Sequence, residues 1–242
     1  MQIYFEKLYS LGNKEFYELV EKTLKNKRKM FIVTANPETF SYGQNDKMIN
    51  ELLLDSKTTL VPDGIGIVKA AHILNYNVKE RITGIDLAQK LLEIANENQY
   101  KVALLGATSE VINKLRNKIS LDFPKINLVK AVNGYIEDKD KFLEEIVKTK
   151  PDICLVAIGI PNQEKLIYKH LDKFEKGIFV GVGGSFDVLS GTKKRAPKII
   201  QKLNIEWLYR ILKEPKRIKR FYNNNVKFMF KINKLKKQIM KK

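Results

Sequence analysis

Short β-branched apolar runs alternate along this chain with longer stretches of helical period, and that alternation restricts the possible fold more than any other feature. The runs fall at residues 30–34 (MFIVT), 58–62 (TTLVP), 101–106 (KVALLG), 126–132 (INLVKAV), 152–159 (DICLVAIG) and 177–183 (GIFVGVG). Helical patterns occupy residues 13–28, 86–98, 109–121, 139–149 and 163–174. Strands so uniformly apolar have no polar face to turn to water, so the intervening helices must cover both sides of the sheet. The expected fold is α/β, a parallel Rossmann-like sheet with helices on both faces. Strand patterns stop after Ser190, which places a division near Thr192 between a core of residues 1–192 and a helical, basic C-terminal appendage of residues 193–242.

In open parallel sheets, ligands bind beyond the carboxyl ends of the strands, where helix N-termini present free backbone N–H groups. Here those ends read Thr34-Ala35-Asn36-Pro37, Pro62-Asp63-Gly64, Gly106-Ala107-Thr108, Asn133-Gly134-Tyr135, Gly159-Ile160-Pro161-Asn162-Gln163 and Gly183-Gly184-Ser185-Phe186-Asp187. Nearly all are small, polar or glycine, as a phosphate-bearing ligand close to the backbone requires. Asp63, between an apolar run and a glycine-spaced helix start, admits two readings. It caps the helix and complements its dipole, or it is a base that accepts a proton from an attacking hydroxyl. Thr34 and Asn36 fit either a strand that ends in a turn before Pro37 or neutral hydrogen bonds to a sugar. Gln163 and Glu164 read equally as the start of a helix after Pro161, and Arg81 as a surface charge.

Several classes of function are disfavoured. Gly64-Ile65-Gly66-Ile67-Val68-Lys69 begins like a dinucleotide fingerprint but carries Lys69 at the third glycine position, and no G-x-x-x-x-G-K-[ST] exists. His72 and His170 lie far apart, without metal-ligand spacing, so the expected site uses no metal and no cofactor. The single cysteine, Cys154, sits inside an apolar run and reads as a buried strand thiol. No run approaches the ~18 apolar residues of a membrane span, and MQIYFEKLYS lacks the order of a signal peptide, so a cytoplasmic protein is expected unless something holds it at a surface.

The net charge of +18 is unevenly placed: of 45 basic and 27 acidic residues, 18 basic but only two acidic (Glu206 and Glu214) lie from Lys193 onward, leaving 27 and 25 before it. The core is nearly neutral and the appendage calls for an anionic partner or is a solvated helix. Within it, Arg210, Arg217 and Arg220 stand among Trp207, Tyr209, Phe221 and Tyr222, and Pro215 marks a break. From Ile218 onward, Phe221, Tyr222, Met229, Ile232 and Ile239 share one side of a helical wheel and Lys216, Arg220, Lys227, Lys231, Lys234 and Lys241 the other. That pattern suits a helix lying in an anionic membrane interface, or one whose apolar face packs on the core. A nucleic-acid-binding tail fits the charge alone and lacks any recognised module.

Taken in order, Thr34-Ala35-Asn36-Pro37-Glu38, PDGIGIV, ERITGIDL (80–87), LLGA (104–107), Asn133-Gly134-Tyr135, GIPNQEKLI (159–167), GVGGSFDVLSGTKKRAP (181–197) and EWLYRILKEPKRIKRFY (206–222) resemble the WecG/TagA/CpsF family of glycosyltransferases over about residues 13–222. Ile85 departs from it, standing where the family often has Ser or Thr. The resemblance implies a bacterial enzyme that moves an N-acetylmannosamine-type sugar from UDP to a polyprenyl-diphosphate-linked N-acetylglucosamine, inverting the anomeric centre without metal. Asp63 would be the base, Thr34 and Asn36 would line the sugar pocket, and Gln163 would touch the reacting region. Arg81, Gly106, Tyr135, Gly159, Gly183 and Asp187 would bind substrate, and Arg210, Arg217 and Arg220 would close over the donor diphosphate. It also implies a tail that touches the inner face of the cell membrane, a homo-oligomer among the forms, no nucleic-acid partner, and another UDP-sugar as the alternative donor.

Overall fold

The apolar runs pair into one all-parallel sheet of six strands in the order β2-β1-β6-β5-β3-β4. The computed structural model describes residues 1–241. Its elements in chain order are α1 (Gln2–Glu6), α2 (Asn13–Lys25), β1 (Lys29–Ala35), α3 (Pro37–Asn45), α4 (Lys47–Leu54), β2 (Thr58–Pro62), α5 (Ile65–Ile73), α6 (Gly84–Asn98), β3 (Lys101–Gly106) and α7 (Ser109–Asp122). Then follow β4 (Asn127–Val132), α8 (Lys139–Lys148), β5 (Ile153–Ala157), α9 (Asn162–His170), β6 (Gly177–Gly181), α10 (Ser185–Leu189), α11 (Lys198–Lys202), α12 (Glu206–Lys213), α13 (Arg217–Phe221) and α14 (Lys227–Ile239). Two apolar clusters, one on each face, bury the strands: Phe31, Val33, Ala103, Leu105, Val156 and Phe179 point one way, and Ile32, Val61, Leu104, Leu155 and Val180 the other. Cys154 is buried among them, and burial pushes its thiol up to about 12.

The expected strands are all present, with two shortened. β5 and β6 stop at Ala157 and Gly181, although apolar residues continue, because Gly159 and Gly183 turn out of the sheet at φ 87° and 49°. Several helices go beyond the expected stretches, α3 and α4 among them. Asn36 does not open a simple turn: its side chain accepts from the N–H groups of Glu38 and Thr39, Thr39 returns the capping bond, and Pro37 holds the first helical position, so α3 starts there. Asp46 then caps α4 by accepting from the Ile49 N–H at 3.1 Å.

β3 is followed by a crossover toward the outer strand β4, and β5 by one toward β6, so the strand order reverses between β3 and β5. The crevice over their carboxyl ends is where such sheets hold ligands.

The segment from residue 193 onward is helical throughout its structured parts, and it is divided in its packing. α14 faces inward. Phe228 and Ile232 are buried in the core cluster, with Phe228 against Phe40 at 6.4 Å between rings. The face expected to meet a membrane is therefore partly spent on the core. α11 and α12 instead leave Ile199, Leu203, Leu208 and Leu212 exposed, Ile199 and Leu212 at 73%. Among the described residues no helix is long and apolar enough to cross a membrane.

Candidate active site

β1 and β2 place the first cluster. Ala35 pairs with Pro62 at the end of their register, and the Asp63 N–H donates to the Ala35 carbonyl at 2.8 Å, so Asn36 and Asp63 leave the sheet side by side. Gly64 follows with φ 86°, a left-handed backbone that favours glycine, and turns the chain into α5. Gly64, not Asp63, is the N-cap of α5, and no side chain caps that helix. The capping reading of Asp63 is thereby removed.

Asp63 is half-buried. Desolvation pushes its carboxyl up to about 6, against the pull of Arg210 and then of Arg81, with Glu206 and Asp86 adding to the rise. A carboxylate that titrates near neutrality and lies beside guanidinium groups is suited to accept a proton and release it again. Arg81 reaches this corner because the Ile82 N–H donates to the Pro62 carbonyl at 2.7 Å. Its guanidinium is engaged by the appendage, donating to Glu206 Oε2 at 3.1 Å and to the Gln201 carbonyl at 3.0 Å.

The other expected residues fall in different places. Thr34 is buried, with its hydroxyl donating to the Gly181 carbonyl at 3.3 Å. Asn36 spends its Oδ1 on the cap of α3 and keeps its Nδ2 for other partners. Gln163 is 1% exposed and bonded within the protein through both amide atoms. Its Oε1 accepts from the N–H groups of Gly159 at 3.2 Å and Gly183 at 3.1 Å, and its Nε2 donates to Glu164 Oε1 at 2.7 Å. One amide thus ties the loops after β5 and β6 together, and the backbone donors of Gly159 and Gly183 are already occupied. Asp187 lies at the root of the appendage, its carbonyl accepting from the Lys193 N–H at 2.8 Å and its carboxylate 3.8 Å from Lys193 Nζ.

The three tail arginines separate. Arg210 is exposed and exerts the strongest cationic pull on Asp63. Arg217 donates instead to Glu214 at 2.6 Å, within its own turn, and Arg220 donates to Glu38 at 2.8 Å, at the start of α3.

A second region lies over the β3, β4 and β5 ends: a cleft of about 520 Å³ lined by Ala107, Gly134, Tyr135, Ala157, Ile158 and Lys165, among others. Gly106, at φ 142°, lets β3 approach β5 here, where a Cβ would fall 2.4 Å from the Ala157 carbonyl oxygen. β5 stands three strands from β2, about 14 Å at the usual strand spacing. The two regions therefore lie along one edge of one sheet. Among the described residues no group of three or more His, Cys, Asp or Glu could hold a metal ion.

Four residues at the site carry no motif legible alone: Glu164, Asp86, Arg195 and Glu206. Glu164 is buried, with Oε2 lacking any partner, and desolvation pushes its carboxyl up to about 7, Glu38 adding to the rise. Arg195 forms a two-pronged pair with Asp86 at 2.6 and 3.0 Å and reaches Glu206 Oε1 at 3.4 Å. The available signal was Glu206 itself, one of two acids in a segment otherwise crowded with cations.

A desolvated carboxylate within reach of guanidinium groups and a cleft of small-ligand size lie along the carboxyl ends of one parallel sheet, the arrangement of an α/β protein that holds a small ligand at that edge. Comparison with known proteins narrows it. The sequence profile of the glycosyl transferase WecG/TagA/CpsF family matches residues 3–242, and the chain belongs to that family. It is therefore a glycosyltransferase. Among its relatives are the N-acetylglucosaminyldiphosphoundecaprenol N-acetyl-beta-D-mannosaminyltransferases of Staphylococcus aureus strains MW2, NCTC 8325 / PS 47 and MRSA252. Each is 43% identical over 213 residues, spanning 88% of this chain and 83% of the relative.

Proposed function

We propose that this chain transfers an N-acetyl-β-D-mannosaminyl group from a UDP-sugar to N-acetylglucosamine carried on diphosphoundecaprenol, with inversion at the anomeric carbon. The relatives' names supply the acceptor and the sugar, and one observation carries the chemistry: Asp63 lies at the β2 end, its carboxyl raised to about 6 by desolvation within the electrostatic reach of Arg210. In the reaction, Asp63 takes the proton of the acceptor hydroxyl as that oxygen bonds to the anomeric carbon. The bond from that carbon to the UDP oxygen breaks, and its electron pair leaves with the diphosphate. Arg210 meets the developing negative charge, as guanidinium groups do through paired hydrogen bonds. Thr34 and the free Nδ2 of Asn36 flank the sugar, and the cleft beside Tyr135 takes the nucleotide, its volume being that of an ordinary small-ligand pocket.

In this reading residues 1–192 are the catalytic core, and the appendage both completes the site and docks the enzyme on the inner face of the cell membrane. Exposed Ile199, Leu203, Leu208 and Leu212 stand among Lys198, Lys202 and Lys213, and each cation near an anionic surface adds about 1 kcal/mol. A lipid-borne acceptor gives such a surface a purpose. The deciding experiment measures UDP release by the intact chain and its Asp63→Asn variant over a panel of UDP-sugars with lipid-linked N-acetylglucosamine. Release from UDP-N-acetylmannosamine that collapses in the variant supports the proposal; release that survives the substitution, or that favours another sugar, refutes it.

A further inference from the structure

Six charged groups gather where the appendage meets the core: Asp63, Asp86 and Glu206 against Arg81, Arg195 and Arg210, a set that is neutral as a whole. Their arrangement is unequal. Glu206, in the first turn of α12 and only 6% exposed, sits between two guanidiniums, with Arg81 on Oε2 and Arg195 on Oε1. Arg195 is further anchored by Asp86, and Arg81 by the Gln201 carbonyl. Asp63 has none of these pairings.

We propose that Glu206 is a positioning residue for the transfer: it holds Arg81 and Arg195 in an ion cluster that keeps them off Asp63, while its own helix carries Arg210 to the base. The inference rests on the reading of Asp63 as the base and adds what sets the strength of that base. Arg81 is fixed one residue before Ile82, whose N–H is bonded to Pro62, so its guanidinium lies within the same corner as Asp63. An arginine deprived of a buried carboxylate partner seeks another, because an unpaired buried charge is costly. Asp63 and Asp86 both lie within its electrostatic reach, Asp86 is already paired with Arg195, and a carboxylate paired with arginine is a poor proton acceptor. Glu206 prevents the pairing of Arg81 with Asp63. Because Glu206 and Arg210 are four residues apart on α12, seating the appendage protects the base and delivers the cation for the leaving group together.

The groups that face Asp63 are Arg210 and Glu206 from α12, Arg81 from the segment before α6, and Asp86 from α6 itself. Their signs dictate opposite outcomes for two substitutions, read in kcat/KM against pH with the full-length chain. Glu206→Gln removes a negative charge and frees Arg81, so the acid limb moves down by about 1 pH unit, and turnover falls. Arg81→Gln removes a positive charge, so the limb moves up. A loosened appendage would withdraw Arg210 as well, so in Glu206→Gln it would move the limb up, opposite to the expected shift, and that result overturns the proposal. Limbs that stay at the wild-type position in both variants overturn the proposal. Should Glu206→Gln fail to fold, the Arg81→Gln limb decides by itself, and an unmoved limb there is equally fatal. A wild-type profile with no acid limb, or one that persists in Asp63→Asn, sinks the assignment of Asp63 as base and this proposal with it.

Discussion

Arg220 grips Glu38 through two guanidinium nitrogens, at 2.8 and 3.3 Å, joining the appendage to the turn that follows Asn36 across 182 residues of sequence. An arginine expected to meet the donor diphosphate is thus held by a carboxylate beside the sugar pocket. If Arg220 serves the diphosphate, it must exchange one anion for another. Removing the first should then help: Glu38→Gln is expected to lower the donor KM by about two- to five-fold, the range of an ion pair exposed on one side. Steady-state kinetics at varied UDP-sugar would settle it, and a raised KM would mean that the pair orders the site instead.

Asp63 carries a second, independent signature. Its folded-state pKa of about 6 lies above the ordinary 3.8, so ionisation disfavours the fold, and the stabilising contribution present below the unfolded value disappears as pH rises through 6. Asp63→Asn should therefore unfold at an equal or higher temperature than the wild type at pH 7.5, while turnover drops by roughly 10²–10⁴. The acid limb of kcat/KM in the wild type is expected near pH 6 for the same reason. A variant that is both inactive and less stable would point to a structural carboxylate.

Glu164 makes the stability argument more sharply, since it is buried with Oε2 unpartnered. Its carboxyl, raised from 4.5 to about 7, is best accommodated neutral, and the fold loses that advantage as pH climbs through 7. The expected result is a wild type whose urea midpoint declines between pH 6 and 8.5 more than that of Glu164→Gln. Replacement by glutamine keeps an acceptor for Gln163 Nε2 and removes the ionisation. Equal declines in the two proteins would argue that Glu164 stays charged.

The last helix offers a packing test. Phe228 fills a site against Phe40 and is almost wholly buried, so Phe228→Ala should cost about 3–5 kcal/mol in the seating of α14. Limited proteolysis ought to reveal it as faster cleavage in the π-helical stretch Tyr222–Val226 that leads into that helix, with the sheet unaffected. Cleavage at the wild-type rate would show that α14 is held mainly by other contacts.

Much of the fold was legible because its signal is local. Near-continuous apolar strands report burial on both faces, and the strand ends named the ligand edge before any pairing was known. Asp63, Thr34 and Asn36 could be listed from that rule, and two of them emerge on adjacent strands, where Ala35 pairs with Pro62. The helices α3 and α4 were harder. Asn36-Pro37 suits a turn as well as a capped helix, and only the bonds to Glu38 and Thr39 choose between them. Gln163 was legible as important and illegible in its use: nothing in GIPNQEKLI says that its amide spans two loops.

The sequence by itself determined the parallel α/β architecture, the residues that stand at the carboxyl ends of its strands and the basic character of the final 50 residues, because periodicity and charge are properties of neighbours along the chain. Only the tertiary structure decided which cations matter. Arg210, Arg217 and Arg220 are alike in the sequence, yet one acts on Asp63 through its charge, one closes on its own turn and one is held by Glu38. It also decided that Glu206 sits between Arg81 and Arg195. Such choices depend on which charges are brought within a few ångströms and removed from water together, and the Coulomb energy of a pair follows that separation and its dielectric surroundings rather than any spacing along the chain.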